Sequence, residues 1–301
     1  MSEIKEVFNK PPFNIDQLIE LLQKRGLKIN DVEIAKYYLQ FIGYYRLSAY
    51  FICFQDASSS ASHHQFKQGT AFEDILNLYI FDRKLRLLIL DAIERIEVAI
   101  KASISNTMSL QSGAHWFMDK NNFKTEFEHQ KFIEKLKNDV NQNKREEFIK
   151  HYRSKYYSPE FPPSWMIFEI LSFGTVSFIF KNLELQNRKK TAKLFDVDEK
   201  IMSSWLHSIS YCRNLCAHHC RIWDRTFTIT PTTKARDYKQ YLIENNKLFA
   251  QLVIIQVLMQ KITINSHWSD NLKVLIQEYK SIPIQDMGFP KNWDDFPLWR
   301  T

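Results

Sequence analysis

The sequence predicts an all-α protein, and three observations support that fold class. Only six of the 301 residues are glycine, which disfavours a β-sandwich with its many tight turns. The nine prolines lie at 11–12, 159–163, 231 and 283–297, and residues 13–158 contain none. In that proline-free region, apolar residues recur at intervals of three and four, the period of one helix face. The pattern predicts a mostly helical domain with a helical extension before it and an extended C-terminal tail after it.

Capping residues and apolar periods predict the helices in chain order. Asn14 begins a helix that reaches Arg25, and Asn30 or Asp31 caps a second helix. Small polar residues at 55–70 predict a surface loop. Further helices are predicted over residues 71–108, 120–155, 164–182, 198–223 and 240–261.

Composition and charge restrict the possible functions. Hydrophobic residues make up 45% and charged residues 25%, as in an ordinary globular protein. The sequence contains neither GxGxxG nor GxxxxGK[ST], which excludes a Rossmann dinucleotide site and a P-loop. The 41 basic and 34 acidic residues give a net charge of +7, which favours polyanionic partners weakly. We expect a cytoplasmic protein without membrane association, because no signal peptide or bilayer-length apolar stretch is visible and cysteines are few.

Residues 211–223, with the sequence YCRNLCAHHCRIW, contain the candidate chemistry. On a helical wheel, one narrow polar face collects four side chains, those of Arg213, Asn214, His218 and Arg221. His219 falls on the opposite, apolar arc. The wheel therefore assigns His218 to the polar face and His219 to the core.

An arginine, an amide and a histidine on one face suit phosphodiester cleavage in RNA. Histidine exchanges protons near neutral pH, and guanidinium binds phosphate oxygens in a bidentate manner. RNA supplies its own nucleophile, the 2′-hydroxyl, so acid–base help and charge stabilisation suffice without a metal. The alternative interpretation is a surface Arg-Asn pair beside a packed histidine.

Two other kinds of site are possible from the sequence, a zinc site near residues 212–220 and a DNA-binding site at residues 14–42. Cys212, Cys216 and Cys220 recur every four residues near His219, which suggests zinc, but no second ligand pair exists at the usual spacing. Thiols on an apolar arc are more typical of small buried hydrophobes than of metal ligands or nucleophiles. The helix pair at 14–42 has the form of a DNA-binding helix-turn-helix but lacks a basic second helix, so we expect no DNA partner.

Further residues are candidates for RNA contacts. Aromatic and cationic side chains together resemble surfaces on which bases stack, although packing and solvated helix faces are the alternatives. The candidate RNA-binding residues are Arg221, His219, Arg46, Tyr45, Arg83 and Arg86. Glu97, on the long helix, is a candidate to orient Arg213, with a helix-surface ion pair as the alternative.

Ordered motifs extend over most of the chain. They are YYRLSAY at 44–50, FDRKLR at 81–86, IERIE at 93–97, PSWM at 163–166, SFG at 172–174, RN…AHH…RIW at 213–223 and MGFP…W at 287–293. In this order they resemble the Abi-like abortive-infection proteins of bacteria (AbiD/AbiF type), which belong to the HEPN superfamily. The chain departs from that pattern at Asp224, where Asn is expected after the tryptophan.

The resemblance implies a HEPN-type antiparallel helical bundle over residues 71–282. A helical extension at 1–54 and a tail at 283–301, packed on the domain, complete the expected organisation. It also implies a metal-independent endoribonuclease with an R-x4-H motif and no cofactor. In that motif Arg213 stabilises the phosphate, Asn214 orients it and His218 is the acid or base, although His219 also fits the permitted spacing.

The resemblance further implies partners and a biological role. Two copies of the motif face each other in a homodimer and form a composite site. Family members cut RNA as toxins or effectors of phage defence, and some are linked to a small structured RNA. The alternative within the same family is a non-catalytic RNA-binding regulator held by such an RNA.

Overall fold

The computed structural model describes residues 9, 11–56 and 64–300. Within these ranges it has twelve α-helices and, in place of strands, three isolated β-bridges, which confirms the all-α prediction. Contacts divide the chain between Arg83 and Lys84 into two compact units, called here the N-terminal unit and the C-terminal unit. None of the helices in the described ranges is long and apolar enough to cross a bilayer.

The N-terminal unit contains three short helices and the start of a fourth. They are α1 (Ile15–Lys24), α2 (Val32–Phe41), α3 (Tyr44–Phe51) and the first part of α4 (Phe72–Ser112). Asn14 caps α1 and exchanges hydrogen bonds with Gln17, since each side chain accepts from the other's N–H at 2.9 Å. Asp31, rather than Asn30, caps α2 through the N–H of Ile34. The predicted loop at 55–70 lies in part outside the described residues.

The C-terminal unit contains the rest of α4 and eight further helices. They are α5 (His129–Gln142), α6 (Glu147–Lys155), α7 (Ser164–Ile170), α8 (Phe173–Asn182), α9 (Leu185–Lys193), α10 (Glu199–Ala217), α11 (Leu248–Ile262) and α12 (Trp268–Glu278). Helix α11 is buried along nearly its whole length, and α10 packs against α8, α9 and α11. Helix α10 is therefore held on several sides by the core.

Four predicted helices differ from the structure. The helix predicted over 120–155 is two helices, α5 and α6, after a 3-10 turn at Lys120–Asn122. The helix predicted over 164–182 is two helices, because Ser172 adopts an extended conformation and caps α8 through the N–H of Thr175. The helix predicted over 198–223 ends at Ala217. The helix predicted over 240–261 begins at Leu248, after a 3-10 helix at Arg236–Tyr241.

The C-terminal tail is not extended as predicted but folds into three 3-10 turns. These turns span Ile284–Met287, Trp293–Asp295 and Pro297–Trp299. The rings of Phe289 and Trp299 pack on Phe249 of α11, with centroids 4.9 and 5.9 Å apart. Local hydrogen bonds in the turns and the aromatic contacts both favour this compact form over an extended strand.

Candidate active site at the end of α10

Helix α10 ends in a Schellman turn immediately after the candidate motif. His219 adopts the left-handed conformation, with φ of 57°, and its N–H donates to the Cys216 carbonyl at 3.0 Å. The N–H of Cys220 donates to the Leu215 carbonyl at 2.9 Å. This pattern satisfies carbonyls at the helix end without further helical residues. The chain therefore leaves the helix after Ala217, and the wheel does not describe residues 219–223.

Both histidines are exposed at this turn. His218 is the C-cap residue, and its N–H donates to the Asn214 carbonyl at 2.9 Å. The assignment of His219 to the core was wrong, because the left-handed turn moves it off the helix and into solvent. Burial therefore does not distinguish the two imidazoles.

Arg213 borders a hollow of about 480 Å³ between α4, α7 and α10, called here the Arg213 hollow. Its side chain is 41% exposed, and its Nε lies 3.9 Å from Oε2 of Glu97. Glu97 also pairs with Lys101 at 2.9 Å. Glu94 and Glu169 line the same hollow. Glu97 is thus placed to orient the guanidinium, in surroundings rich in carboxylates.

Asn214 borders a different hollow, on the α8 side of α10, called here the Asn214 hollow. Consecutive helical residues point about 100° apart, so Arg213 and Asn214 lie on either side of the exposed ridge of α10. The angle between the two side chains is the one the wheel gives, but they border two different hollows rather than one shared pocket.

Arg86 is buried, with 4% of its surface exposed, and its Nη1 donates to the Cys220 carbonyl at 3.3 Å. The prediction that Arg86 contacts RNA was wrong, because its guanidinium instead holds the turn that carries the histidines. The sequence did contain a signal for this burial. Arg86 lies at helical spacing from the buried residues Ile89, Ile93 and Ile96, which places it on the core face of α4.

The segment after the turn is anchored by burial. Ile222 and Trp223 are buried, while Arg221 is half-buried and its carbonyl accepts a hydrogen bond from Arg225 at 3.2 Å. Cys212 and Cys216 are buried on α10. Cys220 lies beyond the helix, so the three thiols do not form one helical stripe.

The remaining candidates belong to the N-terminal unit. Tyr45 on α3 is 91% exposed, and Arg46 is exposed next to it. Arg83, on α4, is also exposed. Within their own unit these three side chains are therefore accessible to a partner.

Comparison with known proteins gives one finding. A family model described as Abi-like protein matches residues 37–224, more than half of the chain, and the match includes the whole of α10 and the turn after it. No curated protein and no solved structure matches the chain.

Proposed function

We propose that this chain, which belongs to the Abi-like protein family, is an endoribonuclease of abortive-infection type. The family suggests abortive infection, and the cleavage of RNA in the cytoplasm is our inference. The observation that carries it is the position of a half-exposed Arg213 and an exposed His218 five residues apart at the C-terminal end of α10.

The chemistry follows from these two side chains. His218 accepts the proton of the RNA 2′-hydroxyl while its oxygen attacks the adjacent phosphorus. The bond from phosphorus to the 5′-oxygen breaks, which leaves a 2′,3′-cyclic phosphate and, once that oxygen takes a proton, a 5′-hydroxyl end. Arg213 stabilises the negative charge on the phosphorane, and Asn214 orients the strand from the other side of α10. The reaction needs no metal because RNA supplies the nucleophile.

A general acid other than His218 speeds the reaction by giving a proton to the leaving oxygen. We propose that His218 of a second copy supplies it in a homodimer, so that each chain contributes half of a composite site. Exposed apolar side chains on α4, including Leu87 and Val98, support an interface beside the Arg213 hollow. Glu97 positions Arg213 within each half-site.

The experiment measures cleavage of an end-labelled single-stranded RNA in the presence of EDTA. We expect wild-type protein to produce cyclic-phosphate ends, and we expect His218→Ala and Arg213→Ala to lower the rate by at least about 100-fold. His267→Ala is the matched control, because His267 is exposed, at 80% of its side chain, and lies outside the motif. Undiminished cleavage by His218→Ala would exclude the assignment of that residue.

A second candidate function is an RNA-binding regulator without catalysis. The carboxylates of Glu94, Glu97 and Glu169 around Arg213 favour it, because their negative charge opposes the dianionic phosphorane of cleavage more strongly than it opposes binding of a singly charged phosphodiester. In that case wild-type protein co-purifies with intact RNA, and Arg213→Ala loses the RNA without any change in cleavage. Expression of wild type and of an Arg213→Ala/His218→Ala variant, scored for growth arrest and RNA integrity, separates the two functions.

A further inference from the structure

The Asn214 hollow has the size of a small-ligand site. Its volume is about 340 Å³, at the lower end of the range for pockets that hold small molecules. Helices α8 and α10 form its walls, and they approach closely at Gly174, where an added Cβ would lie 3.3 Å from the hydroxyl of Ser210. The absence of a side chain at Gly174 therefore keeps the hollow open at this point.

Aromatic rings flank the hollow. Phe178, on α8, is 50% exposed, and its ring packs against Phe127 with centroids 5.7 Å apart. The ring of Tyr211, on α10, is held edge-on to Phe227, and its hydroxyl accepts a hydrogen bond from Thr228 at 3.1 Å. These contacts fix both rings at the border of the hollow, where they offer flat apolar surfaces.

Polar groups of several kinds converge on the same space. Asn214, Ser210 and Lys181 line it, and their side chains form no hydrogen bond or ion pair within the part of the chain that the structure describes. An amide and a hydroxyl can donate to and accept from the edge of a base, and an ammonium group can bind a phosphate. Ser210 is 5% exposed and lines the hollow, so a ligand held there can bond to its hydroxyl.

We propose that the Asn214 hollow binds one unpaired base of a single-stranded RNA, next to the phosphate that is cut. The base stacks on Tyr211 or Phe178, and Asn214 and Ser210 bind its edge. Lys181 binds the phosphate that follows. The placement follows from the chain itself, because Arg213 and Asn214 are consecutive residues, so a phosphate at one and a base at the other belong to the same or neighbouring nucleotides.

This inference rests on the proposed function, since it assigns a position in the substrate relative to the cut. It adds that the enzyme prefers certain bases at one position beside the cut. It also adds that double-stranded RNA is a poor substrate, because a paired base is not free to enter a hollow.

The first measurement is binding of four 2′-O-methyl RNA tetramers, of A, C, G or U, which lack the nucleophile and are not cut. We expect wild-type protein to bind at least one of them more tightly than the others. Phe178→Leu keeps apolar bulk against Phe127 but removes the flat ring, and we expect about fivefold weaker binding of the preferred tetramer. Lys181→Ala weakens binding of all four tetramers.

Two control variants match these changes. Trp165→Leu removes a half-exposed ring on α7 that does not line the hollow, and Lys189→Ala removes an exposed ammonium group on α9. We expect both to bind the tetramers as wild-type protein does. Thermal melting of each variant verifies that it remains folded.

The second measurement combines steady-state cleavage kinetics with sequencing of the ends that wild-type protein and Phe178→Leu produce from a randomised RNA. We expect Phe178→Leu to raise KM about fivefold and weaken the base preference, with kcat within about twofold of wild type.

The outcomes separate the two proposals. If wild-type protein cuts RNA but Phe178→Leu and Lys181→Ala leave binding and base preference unchanged, the base site is wrong and the nuclease stands. If wild-type protein binds the tetramers, loses them in both variants and cuts no RNA, the nuclease is wrong and the base site stands. If it neither cuts RNA nor binds the tetramers, both proposals are wrong.

Discussion

The substitution Arg86→Met removes the buried guanidinium that supports the histidine turn. Methionine retains the unbranched aliphatic stem, so the change is chiefly one of charge and hydrogen bonding rather than of volume. In the native protein Arg86 donates to the Cys220 carbonyl at 3.3 Å, and only 4% of the residue surface is exposed. We therefore expect the variant to fold with a less stable turn after α10.

The magnitude can be worked out from these contacts. A hydrogen bond from a charged donor contributes about 1.5 to 3 kcal/mol, and a partly buried carbonyl such as that of Cys220 loses less than the about 1 to 3 kcal/mol of a fully buried one when its donor is removed. Removal of a buried charge offsets part of this loss. We expect the free energy of unfolding of Arg86→Met to fall by about 2 to 3 kcal/mol, and Tm to fall by about 4 to 10 °C.

Thermal melting followed by circular dichroism, with RNA cleavage measured below the transition, tests this expectation. Arg83→Met is the matched control, because Arg83 lies one turn earlier on α4 and is exposed, and its effect on stability should stay within about 0.5 kcal/mol. Equal melting temperatures for the two variants would refute the stabilising role of Arg86. A loss of RNA cleavage by Arg86→Met with unchanged stability would likewise contradict a purely stabilising role.

Three further predictions concern the same unit. His219→Gly relieves the left-handed strain at φ 57° and should raise the free energy of unfolding by about 0.5 to 1 kcal/mol in a melting experiment. If the same variant loses RNA cleavage, the acid–base role belongs to His219. Glu97→Gln removes the charge 3.9 Å from Arg213 and should lower kcat more than it raises KM, and an unchanged kcat would leave Glu97 without a positioning role. The Lys261 ammonium donates to Asp196 at 2.6 Å and lowers the pKa of that carboxyl below its ordinary value. The contribution of this pair to the stability of the fold is therefore present above about pH 4 and is lost as pH falls through the lowered pKa. Asp196→Asn should abolish that part of the acid-dependent change in Tm, and an unaltered pH profile would contradict the assignment.

Local signals made α1, α2 and α4 predictable, whereas no individual helix was predicted at α3. The side chains of Asn14 and Asp31 accept from N–H groups within their own helices, and the apolar period of α4 continues through a stretch without proline. The end of α10 could not be read in the same way. No glycine or proline marks it, and the wheel extended the helix through six residues that do not belong to it.

The sequence by itself determined the helical content and the set of chemically capable side chains at residues 213–219. The tertiary structure decided which way those side chains face. Burial of Ile222 and Trp223 and the hydrogen bond from Arg86 favour a turn after Ala217 over another helical turn. Packing against α4 and α8 then places a hollow on each side of α10. These contacts join residues that are far apart in the chain, so no local pattern specifies them.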